Sequence, residues 1–375
     1  MSDLLIVTWD GGGNVAPALG IAAELMRRQH TVRVLGHPQQ RAHIEAAGCA
    51  FLPFEHAHPW SPLDPVPGLR GATRQLTQVF TDRGIGEDML AAAQAHHPDL
   101  VVIDHLLFGA LRAAERAGLR HATLVHTLYS QQAQLWSGGV PALLTGLRGM
   151  RPVKLWRRSC AVLITTLPLI DRCGNLPDHV HFTGPVWPEP KPRPAASDAG
   201  DPLVLVSLST LYQEGQQRAL QAILDALAVL PVRALVTTGL SVDPSVLRAP
   251  ANAQVERVVP HTQIMPHAAL MVGHGGHGTT MLALAHDLPL VILPMFELGD
   301  QPVVGRTVEQ LGAARVLRKT APAAAIRAAI EQLLPDGPHR EAARVLGAQL
   351  RHCDGAVAGA DALERALTPS PVRAR

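Results

Sequence analysis

The chain has 375 residues, a length that allows about two domains, each large enough to bury its own core. Its 33 Lys and Arg residues nearly balance 31 Asp and Glu residues, so the net charge is only +2. Because no basic run is present, we expect no nucleic-acid partner. The longest apolar stretch, residues 288–296, is too short to cross a bilayer and contains prolines, so no integral membrane span is expected.

The cysteines and histidines show no metal-binding spacing. There is no H-E-x-x-H pattern, and no C-x-x-C pair occurs among the four scattered cysteines, Cys49, Cys160, Cys173 and Cys353. We therefore expect no metal site and no cofactor. The chain enters an apolar strand directly after Asp3, without a basic or long apolar leader, which favours a cytoplasmic protein without a signal peptide.

The amino-terminal half begins as a doubly wound parallel sheet. Residues 4–8 form an apolar strand, and a glycine-rich turn leads into a helix in which Leu19, Ala22 and Met26 lie on one buried face. Strands at 31–35 and 50–54 flank a helix at 41–47. Strands at 100–103 and 122–125 flank a helix at 111–117. Such alternation predicts an α/β fold with parallel strands.

Polar residues follow the carboxyl ends of these strands. Asp10 and Asn14 lie in the turn after the first strand, Asp104 and His105 follow the strand at 100–103, and His126 follows the next strand. Ligands of open α/β sheets bind at this edge, so these side chains are candidate site residues. Asp and Asn are also ordinary turn and helix N-cap residues, and a single histidine at a strand end is more often structural.

Two long segments lack hydrophobic periodicity and are predicted to be loops. Residues 56–86 are rich in proline and glycine, with a short helix at 73–80, and residues 128–151 form a second irregular region. Trp60, Phe80, Trp136 and Leu143 lie in these segments. They can offer apolar walls to a flat or aliphatic ligand, or they can cover the core of the domain itself.

A proline-dense segment separates the two halves of the chain. It follows a strand at 161–166 and extends over residues 181–201, where regular structure is not expected. A second sheet then begins, with strands at 202–207, 233–236, 255–259, 268–272 and 290–293 and a helix at 214–229. A final helical stretch at 341–367 is long enough to leave its own domain.

The most informative stretch connects the strands at 268–272 and 290–293. Four glycines alternate with two histidines, of which His274 is the first, and Thr279-Thr280 opens a helix. Such a turn lets an anion approach the backbone at the positive end of the helix dipole. Asp300 and Gln301, just past the second strand, can hydrogen-bond sugar hydroxyls. The pattern predicts a diphosphate site beside a sugar site.

The order P-H-x-x-x-M-P-H…H-G-G-H-G-T…L-P…P…D-Q, from Pro260 to Gln301, resembles the donor-binding signature of nucleotide-sugar glycosyltransferases of the GT-B fold. The bacterial branch that glycosylates macrolides, enediynes and other natural products is the most similar. The resemblance implies two Rossmann-like doubly wound domains that face each other across a cleft. It also implies a nucleotide-sugar site, whose residues here are Thr210, Val258, Val259, His274, Gly275, Gly276, Gly278, Thr279, Thr280, Asp300 and Gln301.

The chain departs from this family at two donor positions. An aromatic that often stacks on the base is replaced by Val258, so base recognition falls to the backbone of Val258 and Val259. A glutamate that binds ribose hydroxyls is replaced by Leu282, which favours a dTDP-sugar, although a UDP-sugar stays open.

A third departure concerns catalysis. Many members carry a base histidine, oriented by an aspartate, where this chain has Asn14 and Asp104. A carboxamide cannot accept the proton of the acceptor. Asp10 or Asp104 can replace the base, or an acidic acceptor such as a phenol needs only positioning; His105 and His126 are minor candidates. The resemblance also implies an acceptor pocket lined by Trp60, Phe80, His126 and Trp136.

We therefore predict an inverting hexosyl- or deoxyhexosyltransferase that acts on a small hydrophobic or aromatic acceptor. Its oligomeric state is left open, and a homodimer is one of the options. The alternatives are a non-catalytic partner of a glycosyltransferase and another nucleotide-sugar enzyme of this fold, such as an epimerase. The expected domains are an acceptor domain at 1–184, a linker at 185–201, a nucleotide-sugar domain at 202–350 and a carboxyl-terminal segment at 351–375, which returns to the first domain.

Overall fold

The computed structural model describes residues 1–65, 68–196, 200–297 and 299–368. Parts of three predicted segments lie outside these residues, namely 66–67 in the loop at 56–86, 197–199 in the linker and 369–375 at the carboxyl terminus. The chain divides into two compact units. The first comprises Met1–Ser61, Leu69–Val186 and the segment that begins at Asp354, and the second comprises Pro62–Gly68 and Trp187–Cys353.

Within the described residues, all strands pair in parallel, in two sheets. The sheet of the first unit has the order β3-β2-β1-β4-β5-β6-β7, and that of the second has the order β10-β9-β8-β11-β12-β13. The strands are β1 (Asp3–Val7), β2 (Thr31–Gly36), β3 (Ala50–Pro53), β4 (Leu100–Asp104), β5 (His121–Val125), β6 (Ala161–Ile164), β7 (Val180–Phe182), β8 (Leu203–Ser207), β9 (Arg233–Thr237), β10 (Ala253–Glu256), β11 (Ala268–Gly273), β12 (Leu290–Ile292) and β13 (Ala314–Val316).

The helices cover both sheets, as parallel strands require. They are α1 (Val15–Arg27), α2 (Arg41–Ala46), α3 (Gly68–Gln75), α4 (Arg83–His96), α5 (Phe108–Ala117), α6 (Tyr129–Ser137), α7 (Gly139–Leu147), α8 (Pro152–Arg158), α9 (Gln216–Leu227), α10 (His261–Ile264), α11 (His277–Ala285), α12 (Gln301–Gln310), α13 (Ala323–Leu333), α14 (Pro338–Arg351) and α15 (Gly355–Leu367). A π-helical turn, Leu76–Phe80, follows α3. Among the described residues, no helix combines the length and the apolar character needed to cross a membrane.

Alternating apolar residues of β1 supply both cores of the first unit. Leu4 and Ile6 pack with α1, whereas Leu5 and Val7 belong to the cluster on the opposite face of the sheet. The α15 helix joins the α1 side through its buried residue Leu363. The sheet is thus buried on both faces, so that mainly its carboxyl edge is left for polar side chains.

The predicted single helix at 341–367 is wrong, because α14 and α15 are separate helices. Asp354 caps α15, accepting a hydrogen bond from Val357 N at 3.2 Å. A Cβ at Gly355 would lie 2.3 Å from the carbonyl oxygen of Gly184, so the chain turns where only glycine fits this close approach.

The loop predicted at 128–151 is also wrong, since α6 and α7 occupy most of it. Gly138 has an extended backbone and Gly139 a φ of +67°, and these two residues separate the helices. The strand predicted at 255–259 is β10, which ends at Glu256, so Val258 and Val259 lie in the following loop.

In each sheet the chain reverses its direction of winding next to the first strand. β1 lies between β2 and β4, and β8 lies between β9 and β11. A crevice forms at the carboxyl ends of two such strands, where open α/β folds bind ligands. In each unit, predicted site residues follow the two strands at this reversal, β1 and β4 in the first unit and β8 and β11 in the second.

Candidate functional site

In the first unit, register places the ends of three strands side by side. Val7 of β1 pairs with Ile103 of β4, and Asp104 pairs with Leu124 of β5. Consequently the turn after β1, the last residue of β4 and the residue His126 just after β5 meet at one edge. The sequence predicts this meeting of strand ends.

Asn14 lies at the base of the turn and is only 1% exposed. Its amide nitrogen donates towards Asp104 Oδ2 at 3.2 Å, Thr8 Oγ1 at 3.2 Å and the Trp9 carbonyl at 2.9 Å. Its oxygen accepts from Gly11 N. Asn14 does precede α1, yet its side chain makes no capping hydrogen bond. Asn14 is thus the N-cap residue of α1 by position, but its amide is directed at the carboxylate instead of at the first turn of the helix.

Asp104 is buried at 3% exposure and is surrounded by donors. Leu106 N donates to Oδ1 at 2.9 Å, and Asn14 donates to Oδ2. His126 Nδ1 lies 3.1 Å from Oδ2, and His105 Nδ1 lies 3.5 Å from Oδ1. Burial alone would raise the pKa of Asp104, but the two histidines and the Leu106 N–H outweigh burial and lower it.

The two histidines differ in their access to solvent. His105 is fully buried, and burial lowers its pKa to about 3, so this imidazole is neutral. The side chain of His126 is 15% exposed, and its ring centroid lies 4.7 Å from that of His105. Nitrogen and carboxylate oxygen atoms of Asp104, His105 and His126 all lie within 4.8 Å of one another. This is close enough for proton sharing or for a cation.

Asp10 lies in the same turn, and burial raises the pKa of its carboxyl group. Its backbone carbonyl accepts a hydrogen bond from Trp60 Nε1 at 2.8 Å. The ring of Trp60 packs edge-on against Trp9, with 6.0 Å between centroids. Trp60 therefore lies beside the turn, and its acceptor role stays a prediction.

Phe80 and Trp136 are mainly core residues. Each is 8% exposed, and their rings meet edge to face at 6.0 Å within the cluster that also contains Phe108. Of the two interpretations left open for these aromatics, covering the core of the domain describes the bulk of both rings. Leu143 is 61% exposed on α7.

In the second unit, the glycine-rich turn connects β11 to α11. Gly273 pairs with Ser207 of β8 and with Ile292 of β12, so the turn starts between two strand ends. Gly275 has a φ of +82°, and a Cβ there would lie 2.9 Å from the Gln301 carbonyl oxygen and from Ile292 Cγ2. Only glycine satisfies both the backbone angle and the packing at this position.

The helix begins earlier than predicted, at His277 rather than at Thr279. Its first backbone bond runs from Thr280 N to the Gly276 carbonyl at 3.0 Å. The N–H groups of Gly278 and Thr279 precede that bond, so the helix itself does not use them. Gly278 is exposed with open space around its Cα, Thr279 is half-buried and Thr280 is buried. This geometry suits anion binding.

His274 folds back over the turn. Its Nε2 would lie 2.4 Å from a Cβ at Gly276, so any side chain at that position would displace the imidazole. Burial lowers the pKa of His274 to about 4. The imidazole is therefore neutral at physiological pH and can donate an N–H to a phosphate, but it brings no positive charge of its own.

Asp300 and Gln301 lie at the start of α12. The side-chain oxygen of Gln301 accepts hydrogen bonds from Met295 N at 2.8 Å and Phe296 N at 3.0 Å. This oxygen thus holds the loop after β12, and only the amide N–H groups remain to meet a sugar. Asp300 precedes the helix without capping it through its side chain.

The remaining predicted donor residues are on nearby loops. Thr210 is exposed after β8, Val258 is 56% exposed and Val259 is half-buried. Leu282 is buried in α11 at 9% exposure. The sequence gives no signal for the buried Gln216, whose amide donates to the Ser209 and Thr238 carbonyls and so ties together the ends of β8 and β9.

Comparisons with known proteins agree with this architecture. Residues 221–352 match the family "Erythromycin biosynthesis protein CIII-like, C-terminal domain". The 4'-demethylrebeccamycin synthase of Lentzea aerocolonigenes is 29% identical and aligns with 84% of this chain and 87% of its own length. The calicheamicin glycosyltransferase CalG4 is 25% identical, with a TM-score of 0.79 and 98% of each chain covered.

A further solved structure, the glycosyltransferase VinC in complex with dTDP, shares the fold with a TM-score of 0.72 at 19% identity, covering 97% of this chain and 99% of its own. Together with the two parallel-sheet units, these findings show the GT-B fold and make the chain a homologue of the macrolide- and enediyne-type glycosyltransferases of natural-product biosynthesis.

Proposed function

We propose that this protein is an inverting glycosyltransferase that moves a sugar from a dTDP- or UDP-sugar to a small hydrophobic or aromatic natural-product acceptor. The observation that carries the proposal is the turn between β11 and α11. There Gly275 and Gly276 bring the backbone close, and α11 points its first N–H groups at the space above the strand ends. A diphosphate in that space receives hydrogen bonds from Gly278 N, Thr279 and the neutral His274 ring.

These donors stabilise the leaving group. The bond between the anomeric carbon and the diphosphate breaks with its electron pair on the diphosphate oxygen. Donors already in place lower the barrier because their orientation costs nothing during the reaction. His274, kept neutral because burial lowers its pKa to about 4, adds a ring N–H donor to this stabilisation.

Two observations favour the thymidine nucleotide. Leu282, on α11, is apolar and buried, so it cannot hydrogen-bond the extra hydroxyl of a ribose. VinC, a protein of the same fold, is seen with dTDP. The acceptor then reacts above the cluster formed by Asp10, Asn14 and Asp104.

The first test is a thermal-shift screen of the protein with dTDP, UDP and GDP. The protein is then incubated with dTDP- or UDP-sugars and with phenols, indoles or aliphatic alcohols, and products are detected by mass spectrometry. We expect dTDP to raise the melting temperature most. Nuclear magnetic resonance of the product gives the anomeric configuration, which inversion reverses. Absence of both nucleotide binding and product at millimolar concentrations contradicts the proposal.

The second test compares substitutions. His274→Ala and Thr279→Ala are expected to reduce turnover more than Asn14→Ala does, because the first two act on the leaving group. Nucleotide binding without any transfer or donor hydrolysis would point instead to a non-catalytic partner protein.

A further inference from the structure

We propose that His126 is the general base of this enzyme and that Asp104 is its positioning residue, in place of the histidine that position 14 lacks. The inference rests on the proposed function and names the group that activates its acceptor. His126 Nε2 takes the proton of the acceptor hydroxyl while that oxygen bonds to the anomeric carbon. The sugar–diphosphate bond breaks at the same time, and the proton later passes from His126 to solvent.

The geometry of His126 and Asp104 is that of a base and its orienting carboxylate. Nδ1 of His126 lies 3.1 Å from Asp104 Oδ2. The N–H of Nδ1 is not aimed along this line, so the contact is an ion-pair distance rather than a formed hydrogen bond. Hydrogen bonds of catalytic groups commonly tighten only when substrate is bound. Because Nδ1 faces the carboxylate, Nε2, on the other side of the imidazole, is the nitrogen left to meet an acceptor.

Asn14 has a defined part in this arrangement. Its amide nitrogen lies 3.2 Å from the same oxygen, Asp104 Oδ2, that His126 approaches. Being neutral, Asn14 orients the carboxylate without competing for the proton. The full negative charge of Asp104 is then available to stabilise the imidazolium that forms on His126.

The neighbouring titratable groups fit the role less well. His105 is fully buried and has a pKa of about 3, so it can neither reach an acceptor nor hold a proton at neutral pH. Asp104 is 3% exposed and has a lowered pKa, which makes it a weak base. His126 is the most exposed of these three, with 15% of its side chain open to solvent.

The experiment measures kcat/KM of the unaltered protein and of His126→Gln with two acceptors, 2-phenylethanol and 4-nitrophenol, at mildly alkaline pH. The alcohol needs a base, whereas the phenol is already largely ionised. We expect His126→Gln to lose about 100- to 10,000-fold in kcat/KM with the alcohol and less than about tenfold with the phenol. The control His352→Gln, an exposed histidine after α14, is expected to match the unaltered protein.

A rescue variant makes the test specific. Asn14→His in the His126→Gln background puts an imidazole back beside Asp104, and we expect it to recover at least about tenfold of the activity with the alcohol. The unaltered protein should lose kcat/KM with the alcohol as the pH falls, in a single-proton step that His126→Gln lacks. That pH profile tests the inference even if the variant folds poorly.

Three results would overturn the inference: equal losses with both acceptors, activity of His126→Gln within threefold of the unaltered protein, or inactivation by a chelator that Zn²⁺ reverses. The last result would mean that Asp104, His105 and His126 hold a metal ion. If the unaltered protein neither binds a nucleotide nor forms product, the proposed function fails. If the unaltered protein and His126→Gln both bind the nucleotide and form product at similar rates, only the assignment of the base fails.

Discussion

Gly275→Ala is the substitution whose cost the structure defines most closely. The residue has a φ of +82°, in the left-handed region that residues with a Cβ avoid. The added methyl group would also lie 2.9 Å from the Gln301 carbonyl oxygen and from Ile292 Cγ2. One of these neighbours is backbone and the other belongs to the buried strand β12, so neither gives way easily.

The expected cost is the sum of two effects. The left-handed backbone contributes about 1–2 kcal/mol for a residue with a Cβ. Forcing a methyl group into a packed region contributes about 1–3 kcal/mol more. We therefore expect the free energy of unfolding of the second unit to fall by roughly 2–5 kcal/mol, which lowers its melting temperature by roughly 4–20 °C.

Thermal unfolding with and without dTDP measures this effect, because the transition that the nucleotide shifts is that of the second unit. Gly278→Ala is the matched control for stability: it lies in the same turn, in α11, with no atom within 4 Å of the new Cβ. Alanine there should leave stability unchanged or raise it by about 0.5–1 kcal/mol. If Gly275→Ala unfolds within about 2 °C of Gly278→Ala, the conformation assigned to the turn is wrong.

Three further predictions concern buried polar groups. Burial lowers the pKa of His37 and His274 to about 4, from 6.5 in the unfolded chain. As the pH falls, the unfolded chain therefore binds protons before the folded protein does. Each histidine should then reduce the free energy of unfolding by up to about 1.4 kcal/mol per pH unit between pH 6.5 and pH 4. Urea unfolding across that range checks this, and a flat profile contradicts it. Asn14→Asp places a second carboxylate beside Asp104, so we expect a loss of about 2–4 kcal/mol at neutral pH by urea unfolding; an unchanged midpoint would mean that the contact is absent in solution. Gln301→Ala should raise the KM for the donor about tenfold, and Gln301→Glu, which keeps an acceptor for Met295 N and Phe296 N but loses the amide N–H groups, should share most of that defect; a normal KM in Gln301→Glu would show that Gln301 acts only by holding the loop.

The order of strands and the positions of the two turns follow from the sequence because local signals and the fold agree there. The fully buried run of β4 and the glycine pattern after β11 have few alternative structures. The histidine, aspartate and asparagine at the strand ends are also readable, since parallel strands bring their carboxyl ends together.

The contacts that decide function are harder to predict from the sequence. Asn14 looks like a cap in sequence, and only the position of Asp104, ninety residues later, shows where its amide points. Phe80 and Trp136 lie in segments without periodicity, yet they are buried against Phe108. Such pairings depend on how distant elements pack, which local propensity does not contain.

The burial of Asp104 bears on whether this enzyme is active without the usual histidine. An ionised carboxylate at 3% exposure costs several kcal/mol unless donors surround it, and a site kept only for folding gains nothing from that cost. Here the donors are present, and one neighbour, His126, is a partly exposed imidazole. A carboxylate held ionised next to an accessible imidazole is an arrangement for moving a proton. The absence of histidine at position 14 therefore points to a relocated base rather than to a lost one.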